Sequence, residues 1–404
     1  MPYTDNRLIL LTNTWPYDAG ETFLSEEAKY LSEAYECVEV FPLSASNLQK
    51  REVPRNFTIH APAVKGSLKS KSKLLWHGIF STAPLGFAIK SFFREGAYCK
   101  SRIWNFFTAL LTFRASYPII ARFGVTAADT VYSYWGDKWS LALPFIKNKS
   151  GCKTVARFHN SDLYEEAKGG HIPFRHILFS GLDCAFAISS HGTLYIKEHY
   201  GNFYNGRIIL TRLGVTSAGT NPGQTSDTFK IVSCSNAVPL KRIEIIAESL
   251  KLISFPIKWT HIGDGPTLAN VKKIAESLPQ NVSVQLNGRM SNAQVKELYR
   301  TEHFDLFINV SLREGVPVSI MEALSAGLPV IATNVGGTAE IVDEQVGILL
   351  PSSVTPTDIA KSINNLRGDC EKLFTLRCNS KKRWSERCDS ETNYQNFITI
   401  LKST

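Results

Sequence analysis

The chain has 404 residues, enough for two domains, and a 44% hydrophobic composition typical of a globular protein. Eight scattered cysteines with no C-x-x-C pair indicate reduced thiols and argue against a disulfide or zinc framework. The formal charge of +9 is concentrated: from Lys65 to Arg122 there are ten Lys and Arg against one acid, Glu95.

The N-terminus, MPYTDNRLILLTNTWPYDAGE, carries acids too early for a secretory signal and has no small-residue cleavage site, so a cytoplasmic protein is expected. RLILLTN reads as a strand, TWPYDAGET as a loop, FLSEEAKYLSEAY as a helix and VEVFPL as a second strand. Gly20, in the loop after the first strand, would let backbone approach a phosphate or sugar, or it simply serves a turn.

The basic segment follows. Its apolar runs LLWHGIF, LGFAIKSFF and IWNFFTALLTF are interrupted by cations, and the longest uncharged run has sixteen residues with a central proline. That is too short for a membrane span. Nucleic acid and a membrane surface are both anionic partners for such a segment. The cations interleaved with Trp76, Phe80, Phe92, Phe93, Trp104 and Phe106 favour an anionic membrane surface over nucleic acid. Ordinary helices with solvated basic faces are the plainer alternative.

DTVYSYW, KTVARFH and CAFAIS read as further strands. His159 ends KTVARFH, where it could orient a ligand or be held for structure. Asp162 follows, either a weak candidate for an acceptor hydroxyl or a helix N-cap. SAGTNPGQTSDT, residues 217–228, has no apolar period and reads as a linker. It divides an N-terminal domain, 1–216, from a C-terminal one, 229–384. A second alternation then runs FKIVSCS, a helix from about Leu240, KWTHIGDG, NVKKIAESL, VSVQLNG, NAQVKELYRT, FDLFINV, SIMEALSAG and PVIAT. Residues 385–404 read as one terminal helix that packs back toward the N-terminal domain. Alternating strands and helices predict an α/β protein with a parallel doubly wound sheet in each half. Ligands would sit between the carboxyl ends of the two sheets.

The loops there hold the candidate site. In REGVPVSIMEALSAGLPVIATNVGG, Glu314 follows a strand, Gly315 permits an unusual backbone, and Pro317 suits a helix's first turn. Free amides around Val316, Val318 and Ser319 favour an anion, and Glu322 lies one turn beyond Ser319. A ligand with several hydroxyls and a phosphate would use these groups together. In NAVPLKRIEIIAESL, Lys241 and Arg242 put two cations in a helix's first turn, against its dipole, at about 0.3–1 kcal/mol each. A bound diphosphate would remove that penalty; a solvated basic turn is the alternative. Gly336 and Gly337 begin the next helix, whose Glu340 is a minor candidate. There is no G-x-x-x-x-G-K-[ST], no G-x-G-x-x-G after the first strand, no H-E-x-x-H, no G-x-S-x-G and no D-x-D.

EGVPVSIMEALSAGLPVIATNVGG, with GDGP, DLFINVS, ARFHNSDLYEE and PYDAGETF, resembles the large retaining glycosyltransferase family four. It is similar in particular to bacterial enzymes that build capsule, O-antigen or exopolysaccharide. The resemblance implies the GT-B architecture, with two Rossmann-like domains facing each other across a cleft. It also implies that a nucleotide-diphosphate sugar is the donor substrate, with no cofactor and no metal. By the same resemblance Glu314 contacts hydroxyls of the transferred sugar, Glu322 holds the ribose hydroxyls, Lys241 neutralises the leaving diphosphate and His159 stands near the donor sugar. Two positions depart from the family pattern. Ser235 stands where an arginine is frequent, so Arg242 would have to substitute, and Asn160 follows His159 where glycine is common. The expected acceptor is a saccharide on a polyprenyl diphosphate, on the inner face of the cell membrane. The rival readings are a nucleotide-sugar epimerase of the same fold and a non-catalytic partner protein that binds a nucleotide sugar.

Overall fold

The computed structural model describes residues 7–18, 20–65, 81–223 and 227–404. The chain forms two compact units, Met1–Thr211 with Tyr394–Thr404, and Arg212–Asn393.

The first unit is built on a seven-stranded parallel sheet. Its strands are β1 (Arg7–Thr12), β2 (Cys37–Pro42), β4 (Phe57–Ile59), β6 (Thr130–Ser133), β7 (Lys153–Phe158), β8 (Cys184–Ala187) and β9 (Arg207–Leu210). Two short strands, β3 (Ser44–Ala45) and β5 (Val64–Lys65), pair apart from it. The order is β4-β2-β1-β6-β7-β8-β9. The chain thus winds outward from β1 in one direction and from β6 in the other. The switch point, where an open α/β sheet binds ligands, lies between the carboxyl ends of β1 and β6. β1 reads RLILLT and is buried along its whole length, as expected of a central strand covered on both faces.

One face of this sheet carries Leu8, Leu10, Val38, Val40, Tyr132 and Val155, closed by Phe397 and Leu401 of the C-terminal helix Ser390–Ser403. Two charges are sealed under it. Arg157 of β7 donates from Nη1 to Glu27 Oε2 at 2.5 Å, and neither side chain has any exposed surface. The Tyr132 hydroxyl donates to Glu27 Oε1 at 3.0 Å, and Arg157 Nη2 donates to the Thr211 carbonyl at 2.8 Å. Burial pushes the Glu27 carboxyl up, while the Arg157 charge and the Tyr132 hydroxyl oppose that shift.

The second unit has six parallel strands: β10 (Phe229–Cys234), β11 (Ile257–Ile262), β12 (Val282–Leu286), β13 (Leu306–Asn309), β14 (Val330–Thr333) and β15 (Gly347–Leu350). Their order, β12-β11-β10-β13-β14-β15, puts the switch point between β10 and β13.

Several boundaries differ from the sequence reading. Residues 217–223 are fastened into the second unit rather than spanning as a free connection. Asn221 Nδ2 donates to the carbonyls of Tyr299 (2.6 Å) and Glu302 (2.8 Å), and Asn221 Oδ1 accepts the Phe304 amide at 3.0 Å. The 385–404 stretch is not one helix. The helix Cys370–Arg387 stops, Asp389 bridges to Val215 and accepts the Thr392 amide, and a new helix runs Ser390–Ser403.

Arg157→Met would leave Glu27 ionisable and unpaired in the core, which costs about 3–5 kcal/mol. Urea unfolding should show that loss. The double variant Glu27→Leu/Arg157→Met should recover most of it; a double variant as unstable as the single one would mean the two charges are not coupled.

Candidate active site

In the second unit the loops leaving β10 and β13 meet at the switch point. The amide of Leu312 donates to the Leu240 carbonyl at 2.9 Å and ties the two loops together. Lys241 and Glu314, one on each loop, form an ion pair between Nζ and Oε1. Asn309 at the end of β13 adds a donor to the same carboxylate oxygen at 3.3 Å. Both ionic side chains remain partly exposed. Lys241 sits in a single 3-10 turn, Pro239–Lys241, and the helix itself is Ile243–Leu250. Its charge therefore lies ahead of the first helical turn, where the sequence reading had placed it.

Neighbouring loops hold this pair in place by close backbone contact. Gly263 (φ 143°) and Gly265 (φ 152°) of the loop after β11 lie against the β10 loop. An added Cβ would fall 1.8 Å from the Ser235 carbonyl oxygen and 2.4 Å from that of Ala237. Gly336 (φ 53°) lies against the Glu314 carbonyl, and the Gly337 amide donates to Gly315 O at 2.6 Å. Gly315, Val316 and Pro317 are buried in this seam. Val318 and Ser319 open the helix Val318–Ser325, which has no side-chain cap.

Glu322 lies on that helix and is 5% exposed. Burial pushes its carboxyl up to about 7, against the lowering influence of Lys296. Asn292 Nδ2 donates to its Oε1 at 3.2 Å. A carboxylate kept this dry and this sparsely paired is poised for a ligand that brings its own donors.

Arg242 does not join Lys241 as a phosphate clamp. Held at φ 50°, it donates from Nε to the Val310 carbonyl and from Nη1 to the Ser352 carbonyl, both at 2.8 Å. These bonds make it a brace for the end of β13. Glu340 is likewise engaged, 3.4 Å from Arg212 Nη2.

In the first unit the loops after β1 and β6 are organised by Glu21, which sequence reasoning passed over. Its carboxylate accepts the amides of Asn13 (2.9 Å), Thr14 (2.6 Å) and Trp15 (2.6 Å), and the Trp135 indole N–H at 2.7 Å. Gly20 is exposed beside it, and an added Cβ would fall 2.9 Å from Thr14 Oγ1, too close unless that side chain moves. An acid directly after a loop glycine was the available signal. His159 stands just beyond β7. Its ring packs on Trp135 and Tyr134, with centroids 4.4 and 4.9 Å away, and on Phe23. Both ring nitrogens are buried without a hydrogen-bond partner. The nearest carboxylate oxygen, Asp162 Oδ2, is 3.6 Å from Nδ1, too far for a hydrogen bond.

Asp162 is not free to meet an acceptor hydroxyl. It is fully buried, and its carboxylate accepts the amides of His159, Asn160 and Gly136, each at 2.9 Å. Burial alone would raise its pKa. The adjacent His159 and these amides outweigh burial and hold it below the usual carboxylate range. Asp162 therefore shapes the His159 loop. The structure thus joins Lys241 with Glu314 in one unit, and Glu21 with His159 through Trp135 in the other.

Residues 221–383 match the family model for glycosyl transferases group 1. An uncharacterized glycosyltransferase of Methanocaldococcus jannaschii, MJ1178, is 28% identical over 269 residues, covering 64% of this chain and 72% of the archaeal protein. One component of the phosphatidylinositol N-acetylglucosaminyltransferase of Arabidopsis thaliana is 27% identical over 221 residues. That alignment takes in 53% of this chain and 48% of the plant protein, so the chain spans about half of that relative's length. Anabaena Alr3699/HepE, solved in complex with UDP, superposes with a TM-score of 0.67 over 98% of this chain and 100% of its own, at 16% identity. The chain therefore carries a glycosyl transferases group 1 domain over residues 221–383, on the two-unit GT-B fold.

Proposed function

We propose that the chain moves a hexose-type sugar from a nucleotide-diphosphate donor to a lipid-linked saccharide, with retention of anomeric configuration and without a metal. The observation that carries this reading is the Lys241–Glu314 pair at the switch point of the second unit, with buried Glu322 on the helix that follows. A diphosphate arriving there draws the Lys241 ammonium, which donates to its oxygens and offsets the charge that grows as the sugar departs. Glu314, released from the pair, accepts from sugar hydroxyls. Glu322 accepts from the ribose diol. His159 orients the sugar, and the departing phosphate oxygen takes the proton of the acceptor hydroxyl on the same face. Catalysis of this kind is positioning and electrostatic stabilisation. HepE's complex with UDP makes UDP-sugars the first donors to try.

The lipid-linked acceptor and a place in bacterial surface-polysaccharide assembly are narrower readings. They rest on the resemblance of the Glu314–Glu322 segment and on a plant relative named for transfer to phosphatidylinositol, a lipid. Among the described residues no helix is long and apolar enough to cross a membrane. Two helices, Gly86–Arg94 and Lys100–Arg122, instead expose Ile89, Phe93, Trp104 and Phe107 near the exposed cations Lys90 and Arg94. This is the face proposed to rest on an anionic cytoplasmic leaflet. The expected set changes accordingly. Phe106 is buried in the core, and Arg114 is buried too, donating to the carbonyls of Ala83 and Ser81. Lys69, Lys71, Lys73, Trp76 and Phe80 lie outside the described residues.

Glu314→Ala or Lys241→Ala should lower transfer by roughly 10²–10³, the effect of losing one preorganised electrostatic contact. Activity of the unaltered chain should persist in excess EDTA. Wild-type turnover in either folded variant, or loss in EDTA that Mg²⁺ restores, would defeat the corresponding assignment.

Donors from the ribose diol favour ionised Glu322, so nucleotide-sugar binding lowers its pKa from about 7 and expels its proton. Affinity for UDP-glucose should rise with pH, by at most about tenfold per unit, and level off above 7. Calorimetry in two buffers of different ionisation enthalpy should detect proton release at pH 6, and Glu322→Gln should abolish it. Equal heats in both buffers for the unaltered chain would remove Glu322 from the ribose.

Each cation near an anionic leaflet contributes about 1 kcal/mol. Co-sedimentation with phosphatidylserine-containing vesicles should therefore weaken in Lys90→Gln/Arg94→Gln and in high salt. Trp104→Ser should weaken it independently of salt. Equal binding to neutral vesicles would count against the charged face.

A further inference from the structure

We propose that Asn309 is a positioning residue for the reaction: it keeps the Glu314 carboxylate aimed at the donor sugar after the diphosphate has drawn Lys241 away. The role rests on the glycosyl-transfer reading above, in which Glu314 accepts from sugar hydroxyls once it is released from the ion pair.

Asn309 is the last residue of β13 and is 8% exposed. The three residues before it, Leu306, Phe307 and Ile308, are apolar and buried. An asparagine in that place is a poor strand former and gives up apolar packing. It makes two directed hydrogen bonds instead. Oδ1 accepts the Ser311 amide at 3.1 Å, and Nδ2 donates to Glu314 Oε1 at 3.3 Å. Together they fix which end of the side-chain amide faces which neighbour. The flipped side chain would set N–H against the Ser311 N–H and an oxygen against the carboxylate.

The backbone between Asn309 and Glu314 is held as well. Ser311 is 1% exposed, and the Thr333 hydroxyl donates to its carbonyl at 2.6 Å. The Leu312 amide donates to the Leu240 carbonyl at 2.9 Å, and the Glu314 carbonyl lies against Gly336. Asn309 therefore reaches Glu314 across a loop whose span is fixed at several points.

Among the described residues Glu314 has two side-chain donors, Lys241 and Asn309, and both are on Oε1. Oε2 is left for a ligand. Lys241 is a cation and follows the diphosphate. Asn309 is neutral, so the incoming negative charge exerts no comparable pull on it. Its bond is long while the ammonium occupies the same oxygen, and it has room to shorten when the ammonium goes. Asn309 then remains as the donor that stops the carboxylate from turning away from the sugar. Leucine or valine at this position would pack better, but would leave the Ser311 N–H unpaired and Glu314 unguided at the moment it is used.

The test uses the full chain and follows hydrolysis of UDP-glucose, UDP-galactose or UDP-N-acetylglucosamine, whichever the unaltered chain cleaves fastest, so that no acceptor is needed. Asn309→Ala should lower kcat about tenfold, the effect of one lost hydrogen bond, with the affinity for UDP unchanged. Asn309→Asp keeps the side chain's shape and the bond from Ser311, but replaces the donor facing Glu314 with a second carboxylate. It should lower kcat further than Asn309→Ala does, whereas a purely structural role predicts the smaller loss there. In a Glu314→Ala background, Asn309→Ala should cost nothing more, because the residue acts through that carboxylate. Unchanged kcat in both single variants, in a chain that Glu314→Ala impairs, overturns the positioning role and leaves the glycosyl-transfer reading standing. So does a further loss of about tenfold in the Glu314→Ala background, or a fall in UDP affinity that accounts for the whole effect. An unaltered chain that cleaves none of the three donors overturns the transfer reading, and this role falls with it.

Discussion

The first unit is organised around a pair of opposite charges that water does not reach. Glu27 comes from a helix, Arg157 from β7, and their remaining hydrogen-bonding groups reach Tyr132 on β6 and the carbonyl of Thr211 beyond β9. The Phe397 ring lies 4.6 Å below the guanidinium. Segments that are remote in sequence can satisfy these charges only in one relative placement. A hydrophobic contact tolerates sliding; a sealed ion pair with directed hydrogen bonds does not. His159 follows Arg157 by two residues, just beyond the end of a strand whose position is set by that pair.

Both units then apply one solution to a shared problem. The switch point of a doubly wound sheet leaves two loops side by side with no regular structure to join them. In the first unit the Glu21 carboxylate gathers three amides of the β1 loop and reaches the β6 loop through Trp135. In the second, Glu314 of the β13 loop meets Lys241 of the β10 loop. The difference is one of exposure: Glu21 is saturated and nearly buried, whereas the Lys241–Glu314 pair is partly exposed. All five described non-glycine residues with positive φ, Asp18, Glu21, Lys138, Phe174 and Arg242, lie in loops that follow carboxyl ends of strands. The strain of the fold is gathered on the side where ligands bind.

What could be read from sequence followed the range of the interaction. The parallel sheets were legible because β1, β7, β10 and β13 are apolar runs bounded by turns. Glu314 and Lys241 were legible because charges interrupt apolar context beside a strand end. Glu27 was not. In FLSEEAKYLSEAY it looks like one more solvated acid, and its partner lies 130 residues away. Asp162 was read by its local spacing, but its role depends on the amide of Gly136. Residues 217–223 have a linker's composition, and only the long-range bonds of Asn221 show that they are tethered. β9 (RIIL) and β15 (GILL) were passed over, although β6, β8, β13 and β14, also of four residues, were read.

Phe397 and Leu401 close one face of the first unit's core, and the whole second unit lies between them and the rest of that unit in the chain. During synthesis this reverses the usual order of completion. The nascent first unit can pack Trp15, Leu24, Ala28 and Leu31 with Leu8, Leu10, Val38 and Val40, but it lacks Phe397 and Leu401 until they leave the ribosome, whereas Arg212–Asn393 is continuous and can close earlier. At about 5–20 residues per second the wait after Thr211 is roughly ten to forty seconds. For that interval the part of the core that Phe397 and Leu401 close stands open to chaperones and to neighbouring nascent chains.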